Sequence, residues 1–135
     1  MTTADARQLL ARFAAGKVPA EEVLQALQAA PFADLGFANL DTHRSLRKGF
    51  PEVVFGAGKT PAQLVKIATR LLASENQLLV TRTTEGHFKA VKRKFKSAVH
   101  HELARCLTIV KQPLRKRPGT ILVLSAGTSD LPVAE

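Results

Sequence analysis

The stretch VVFGAGKTPAQLVKIATRLLASENQLLVTRT, residues 53–83, decides the fold. It opens with a short β-branched and aromatic run at 53–55, which predicts a strand. Thr60 and Pro61 then suit the N-cap and the first residue of a helix. That helix has one full apolar face, made by Leu64, Ile67, Ala68, Leu71 and Leu72. A second apolar run at 78–80 predicts another strand, and a helix between two strands predicts an α/β unit.

The loop between this strand and helix, GAGKT at 56–60, resembles the end of a phosphate-binding P-loop. A P-loop has another glycine five residues before Gly58, and that position is Val53, so we reject the assignment. A weaker form of the idea remains, in which glycine amides, Lys59 and the start of the next helix meet an anion. The alternative is a tight turn into a capped helix, and composition does not separate the two.

Basic residues are concentrated in the middle of the chain. The 135 residues include 20 Lys and Arg against 11 Asp and Glu, a formal net charge of +9. Residues 1–41 sum to −2, residues 42–118 to +13 and residues 119–135 to −2. The excess favours an anionic partner, and its uneven distribution predicts segments with different roles.

Composition excludes several classes of protein. A single cysteine excludes an internal disulfide and a cysteine-based zinc finger. The absence of Trp and Tyr leaves few platforms on which nucleobases stack. No apolar run reaches the roughly 18 residues of a membrane span, and the N-terminus lacks the pattern of a signal peptide. We therefore expect a cytoplasmic protein with no membrane partner.

Helices are also predicted on both sides of the deciding stretch. We expect a helical hairpin at 1–31, serving packing or assembly, whose second helix opens at Pro19 and ends at Pro31. A later helix is capped by Thr83 or Thr84, and we expect its basic face to be solvated, the alternative being a nucleic-acid-binding module. The apolar face of this helix is Phe88, Val91 and Phe95, and its basic face is Lys89, Lys92, Arg93 and Lys96.

The residues that follow this helix include four with metal-ligating side chains, His100, His101, Glu102 and Cys106. Neither a strand nor a helix brings three of them together, so we predict no metal site. Cys106 begins an apolar, strand-like run, which predicts a small core residue rather than a nucleophile.

The last segment has the pattern that opens a doubly wound α/β domain. Prolines and basic residues at 113–119 predict a linker, and the apolar run at 120–125 predicts a parallel central strand. A glycine-containing turn follows, and Pro132 suits the first turn of a helix. Phosphates bind at such strand ends, which makes this turn a candidate nucleotide site.

The predicted fold class is α/β. We expect a small α+β domain at 32–112, with short helices and a small mixed sheet. After the linker, residues 120–135 begin a truncated doubly wound α/β domain.

Three ordered motifs make the chain similar to the N-terminal half of the LarB family. They are DLGFANLDTHRSLRKGFPEVVFGAGKT at 34–60, LLVTRT at 78–83 and SAGTSDLPVAE at 125–135. This family is the carboxylase and hydrolase of nickel-pincer nucleotide cofactor biosynthesis. Its second half resembles the phosphoribosylaminoimidazole carboxylase fold, where a Ser-Asp pair in a loop around a nucleotide corresponds to Ser129 and Asp130.

The resemblance implies a specific reaction. The family adds a carboxylate from carbon dioxide or bicarbonate to the pyridine ring of nicotinic acid adenine dinucleotide. It also splits the phosphoanhydride, which releases AMP and a pyridinium biscarboxylate mononucleotide. The family's catalytic cysteine and its assisting acid belong to the fold beyond Glu135, and Cys106 matches neither. We therefore expect an inactive fragment with no catalytic residue and no cofactor of its own, while Mg²⁺ is a helper of the anhydride step in the full-length enzyme.

The resemblance also implies roles for individual residues and for partners. Asp41 and Glu52 are expected to be structural or to position substrate, and the alternative is that Arg47 pairs with Glu52 to hold the loop. The expected partners are the dinucleotide and further copies of the chain, with no nucleic acid. The candidate substrate- or nucleotide-binding residues are Arg44, Arg47, Lys59, Arg82, Gly127, Thr128, Ser129 and Asp130.

Overall fold

The computed structural model describes residues 3–28, 32–113 and 118–135. The predicted helix end at Pro31 and the basic part of the predicted linker, 115–117, lie outside these described residues. Contacts divide the chain into two compact units, Met1–Glu52 with Thr69–Glu75, and Val53–Ala68 with Asn76–Glu135. The domain boundaries derived from the sequence stay predictions.

The first unit contains three short helices and a two-stranded ribbon. Its elements are α1 (Thr3–Ala14), α2 (Ala20–Gln28), β1 (Phe32–Asp34), β2 (Asn39–Asp41) and α3 (Arg44–Lys48). Strands β1 and β2 pair antiparallel. The helices predicted within residues 1–31 are confirmed, but their apolar stripes are largely uncovered, since α1 buries no residue and α2 buries only Val23.

A buried hydrogen bond holds α3 within this unit. The hydroxyl of Ser45 donates to Glu75 Oε1 at 2.6 Å, and both residues are buried. The backbone carbonyl of Ser45 accepts a hydrogen bond from Thr3 Oγ1 at 3.1 Å. Because a buried carboxylate needs a partner, the serine hydroxyl stabilises Glu75 where water cannot.

The second unit is built on a four-stranded mixed sheet. Its elements are β3 (Val53–Phe55), the start of α4 (Pro61–Leu72), β4 (Gln77–Thr81), α5 (Glu85–Lys94), β5 (Val99–His101), β6 (Cys106–Val110) and α6 (Leu131–Ala134). The strand order is β3-β4-β6-β5. Strands β3 and β4 are parallel, and β6 is antiparallel to both β4 and β5.

The predicted strand–helix–strand unit is confirmed as β3, α4 and β4, and the α/β fold class is confirmed with it. Thr60 caps α4 as expected, since Thr60 Oγ1 accepts from the Gln63 N–H and Gln63 Oε1 accepts from the Thr60 N–H. Alternate strand residues are buried, which gives the sheet one apolar face. The core of this unit includes Val54, Leu64, Ile67, Ala68, Leu78, Val80, Val91, Leu107 and Ile109.

The strand predicted at 120–125 is wrong for this structure. These residues have no regular secondary structure, and Ile121 is 93% exposed. A strand needs a neighbour for its backbone N–H and C=O groups, and among the described residues no strand pairs with this segment. The short helix expected around Pro132 is present as α6.

Gly56 allows the chain after β3 to approach the end of β4 closely. The Gly56 N–H donates to the carbonyl of Thr81 at 2.7 Å. A Cβ at Gly56 would lie 2.8 Å from the Thr81 carbonyl oxygen and 3.2 Å from that of Arg82. Both neighbours are backbone atoms, so a side chain at this position forces the two loops apart.

We predict that Gly56→Ala lowers the free energy of unfolding by about 1–3 kcal/mol, the usual cost of overpacking. Gly86→Ala is the matched control, because a Cβ there meets only ordinary contacts at 3.7 Å and 4.0 Å, and alanine favours the helix. Urea denaturation measures both. Equal effects of the two variants would contradict the close approach at Gly56.

Candidate functional site

The carboxyl ends of the parallel strands β3 and β4 lie at one edge of the sheet. Residues 56–60 leave β3 at this edge, and Arg82 leaves β4 there. Because β6 runs antiparallel to β4, Arg105, which precedes β6, lies at the same edge. In α/β sheets, ligands bind beyond the carboxyl ends of parallel strands. We call this edge, with these loops and the start of α5, the carboxyl edge.

Three short hydrogen bonds join the loops of the carboxyl edge. The Gly56 N–H donates to the Thr81 carbonyl at 2.7 Å, and the Thr83 N–H donates to the Arg105 carbonyl at 2.7 Å. His87 Nε2 lies 2.7 Å from the carbonyl oxygen of Lys59. The loops after β3 and β4, the turn before β6 and helix α5 are thereby held in one arrangement.

Three cations stand on this cross-linked edge: Lys59, Arg82 and Arg105. Lys59 is half-buried, whereas Arg82 and Arg105 are exposed. In the described part of the chain, no ion pair or side-chain hydrogen bond engages the charged groups of these three residues. Their charge is therefore available to an anion.

Two carboxylates also lie near this edge. Glu85 at the start of α5 is 2.7 Å from the Lys89 ammonium, which lowers the pKa of Glu85 below its ordinary value. Glu102 lies in the exposed turn between β5 and β6. Since Lys89 pairs with Glu85, the three cations outnumber the one remaining carboxylate, and the edge keeps a net positive charge.

The start of α4 contributes less than the sequence predicts. The N–H groups of Thr60 and Gln63 are occupied by the capping box, and Pro61 has no N–H. The positive end of the helix dipole remains, but few free amides do. The cationic side chains rather than a cradle of amides therefore dominate the site.

Thr83 carries a buried polar atom with no partner. The residue is 5% exposed, and no described group hydrogen-bonds its Oγ1. Buried hydroxyls are nearly always satisfied. Thr83 is therefore an unsatisfied polar group inside the carboxyl edge.

The arginines predicted in the first unit are paired with acids. Arg47 Nη2 contacts the carboxylate of Asp41, and Arg44 Nη1 lies 3.3 Å from Glu52 Oε2. The alternative pairing of Arg47 with Glu52 is therefore wrong, because each arginine has a different acidic partner. The guanidinium of Arg44 also lies 5.5 Å from the ring centre of Phe50. Roles for these four charged residues in substrate binding stay predictions.

The turn at Gly127–Asp130 is closed on itself. The Gly127 N–H lies 3.3 Å from Asp130 Oδ2, and the Asp130 N–H donates to the Gly127 carbonyl at 3.0 Å. Thr128 and Ser129, between them, are exposed. Binding of a nucleotide by this turn stays a prediction.

Helix α5 presents its basic residues around a shallow groove of about 290 Å³. The ring of Phe88 stacks on His100 with centroids 4.8 Å apart, and the Lys92 ammonium lies 5.9 Å from the centre of the Phe88 ring. Lys92 also donates to the carbonyls of Lys96 and Ala98 at 2.8 Å and 2.7 Å. The groove is lined by Phe88, Lys89, Lys92, Arg93 and Lys96.

The expected absence of a metal site stays a prediction. The described residues contain no group of three or more His, Cys, Asp or Glu side chains that could hold a metal ion. His101 Nε2 is engaged by Thr108 Oγ1 at 3.0 Å. Cys106 lies at the start of β6 but is half-buried, because Leu107 and Ile109 occupy the buried positions of the strand.

Within the described ranges, no helix has the length and apolar character needed to cross a membrane.

Three residues of the carboxyl edge are not predicted from the sequence: Thr83 as an unsatisfied hydroxyl, His87 and Arg105. His87 is 5% exposed although it was not placed on the apolar face of its helix. The spacing of Thr84 and His87 is that of a capping box, and this signal could have identified the histidine. Arg105 reaches the edge only through strand pairing, which leaves no local signal in the sequence.

Comparison with known proteins relates the chain to a family and to a curated protein. Residues 32–112 match the family described as the LarB/PurE-like N-terminal domain. An uncharacterized protein of Methanocaldococcus jannaschii is 28% identical over 136 residues, covering 96% of this chain and 53% of the relative. The chain thus spans about half the length of the curated relative that it matches.

Arg82 has φ 54°, a left-handed conformation that costs a residue with a Cβ about 1 kcal/mol or more. Glycine relieves this strain but loses more conformational entropy on folding. We predict that Arg82→Gly therefore raises the free energy of unfolding by about 0.5–1 kcal/mol. Arg82→Ala keeps the Cβ and should bring no such gain. Urea denaturation of the two variants checks this, and a lower stability for Arg82→Gly than for Arg82→Ala would contradict it.

Proposed function

The chain belongs to the LarB/PurE-like N-terminal domain family, and we propose that it serves carboxylation of the pyridine ring of nicotinic acid adenine dinucleotide with cleavage of its phosphoanhydride. In this proposal, the carboxyl edge holds the two linked phosphates of the dinucleotide. One observation carries the assignment: three cations, which have no partner among the described residues, stand on segments that are hydrogen-bonded to one another.

Phosphate chemistry suits these side chains. Arginine offers several N–H donors in a planar fork that matches two phosphate oxygens at once, and lysine offers a compact positive charge. Arg82 and Arg105 would bind phosphate oxygens, and Lys59 would balance the remaining charge. Because the loops are already cross-linked, little ordering has to accompany binding.

The same cations would assist cleavage of the anhydride. Cleavage builds negative charge on the phosphate that leaves with AMP, and fixed positive charge stabilises such a developing anion. Carbon dioxide or bicarbonate is the proposed co-substrate. The described residues do not fit a Mg²⁺ site, since the edge is cationic and the described part of the chain has no acidic cluster, so the proposal routes no step through this ion.

We assign the covalent chemistry of the ring to the rest of the family polypeptide. Cys106 is half-buried, and its thiol contact within the described part of the chain is the Ala104 carbonyl at 3.3 Å, which is not a general base. The role proposed for this domain is therefore to bind and orient the dinucleotide. Self-association is proposed through the uncovered apolar residues of α1 and α2, which include Leu10, Phe13, Leu24 and Leu27.

Titration of the chain with nicotinic acid adenine dinucleotide and with pyrophosphate, followed by calorimetry, tests the anion site. We expect Arg82→Ala and Arg105→Ala each to weaken binding by about twofold to fivefold, and the double variant by about tenfold, since exposed charge contacts are modest and separate ones add. Affinity should fall as salt rises. Lys66→Ala removes an exposed cation of α4 and is the matched control, with no expected change. No binding by the unmodified chain, or an equal loss in the control, would contradict the proposal.

A second candidate function is binding of nucleic acid by the groove of α5. The observation that favours it is a groove of about 290 Å³ lined by four cationic side chains and one phenylalanine. The Phe88 ring is stacked on His100, and the Lys92 ammonium lies 5.9 Å from the ring centre, so both neighbours compete with a nucleobase for the ring. This candidate therefore predicts contacts with phosphates alone, without sequence preference.

For this second candidate, a short single-stranded oligonucleotide should shift in a native gel, with an affinity that falls steeply as salt rises. The double variant Arg93→Ala, Lys96→Ala should abolish the shift, while Arg82→Ala leaves it unchanged. A shift that is absent in low salt, or that survives the double variant, rejects nucleic acid binding by α5.

A further inference from the structure

His87 uses both of its ring nitrogens to connect two parts of the carboxyl edge. The backbone N–H of Thr84 donates to His87 Nδ1 at 3.2 Å. In return, the backbone N–H of His87 donates to Thr84 Oγ1 at 3.3 Å. A backbone N–H can only donate, so Nδ1 is the accepting nitrogen and the ring proton lies on Nε2. Nε2 therefore donates to the Lys59 carbonyl at 2.7 Å, across 28 residues of sequence.

Lys59 is held on both sides of its Cα by this arrangement. Its N–H donates to the Gly56 carbonyl at 3.1 Å, closing a turn in which Gly58 has φ 77°. Its carbonyl is engaged by His87. The backbone from which the lysine side chain projects is thus fixed, while in the described part of the chain the ammonium itself has no partner.

The burial of His87 indicates a structural connection rather than direct contact with solvent or ligand. The side chain is 5% exposed and lies on the buried face of α5, one turn before the buried Val91. A buried imidazole whose two nitrogens both have partners is a rigid connector. A larger apolar residue would fill the same space but leave the Lys59 carbonyl and the Thr84 N–H without partners.

We infer that His87 is a positioning residue for Lys59, which it holds in place to contact a phosphate of the ligand. The inference rests on the proposed function of the carboxyl edge and assigns a residue that acts through another. Binding of pyrophosphate would then depend on the histidine only while Lys59 carries its ammonium.

Two substitutions at position 87 each keep one hydrogen bond of the imidazole ring and remove the other. In His87→Gln, the side-chain nitrogen lies as many bonds from Cβ as Nε2 does, so it can still donate to the Lys59 carbonyl. In His87→Asn, the side-chain oxygen lies as many bonds from Cβ as Nδ1, so the bond from the Thr84 N–H is kept and the connection to Lys59 is lost. Thr84→Ala is the stability control, because it removes the helix cap and leaves Nε2 in place.

Pyrophosphate titrations of these variants, of Lys59→Ala and of the double variant Lys59→Ala, His87→Asn give the test. We expect His87→Asn to weaken binding as much as Lys59→Ala does, by about twofold to fivefold. His87→Gln and Thr84→Ala should bind like the unmodified chain, and adding His87→Asn to Lys59→Ala should change nothing further.

The outcomes distinguish this inference from the function on which it rests. If the unmodified chain binds pyrophosphate and His87→Asn binds equally well, the positioning role is overturned and the anion site stands. The positioning role is also overturned if His87→Asn lowers pyrophosphate affinity equally in the unmodified chain and in Lys59→Ala, since the effect would then be structural. If the unmodified chain does not bind pyrophosphate, the proposed function fails, and the positioning role fails with it.

Discussion

Three hydrogen bonds of 2.7 Å, from Gly56 to Thr81, from Thr83 to Arg105 and from His87 to Lys59, hold the part of the molecule on which the account depends. They join segments that are far apart in sequence, at the point where the strand pairs β3–β4 and β4–β6 end. Two of them are backbone bonds, and they require a glycine at position 56 and a left-handed residue at position 82. A non-glycine residue in that conformation is costly, and such costs concentrate at functional sites.

The two units differ in whether their basic side chains are paired with acids. In the first, Arg44 and Arg47 are each matched by an acid, so they stabilise the ribbon and the short helix α3 more than they attract a ligand. In the second, Lys59, Arg82 and Arg105 have no such match among the described residues. The excess of basic residues in the middle of the chain is therefore divided between structural pairs, the groove of α5 and a compact cationic edge. This division is why an anion site is proposed for the second unit alone.

The sequence predicts the central architecture well because its signals are local. The apolar face of α4, the cap at Thr60 and the run at 78–80 each depend on neighbouring residues, and all are observed. Strands β1 and β2 escaped prediction, since their sequences, FAD and NLD, lack the β-branched residues that marked the equally short β3. The run at 120–125 has the composition of a buried strand, but a strand also requires a partner, which composition cannot supply.

The candidate site was predictable only in part, because some of its residues come together through contacts between segments distant in sequence. Lys59 and Arg82 lie in the segments that follow the two predicted strands, so parallel pairing places them at one edge. Arg105 joins them through the antiparallel register of β6, and His87 through a bond that spans 28 residues. Neither relation is encoded in local spacing, although the capping box of Thr84 and His87 is.

Amide chemical shifts recorded while the chain is titrated with nicotinic acid adenine dinucleotide test the central claim most directly. The account predicts saturable changes at residues 56–60, 82–87 and 105, with little change at 89–96 or in the first unit. Changes centred on the groove of α5 or on the paired arginines of the first unit would contradict it, as would the absence of any saturable change.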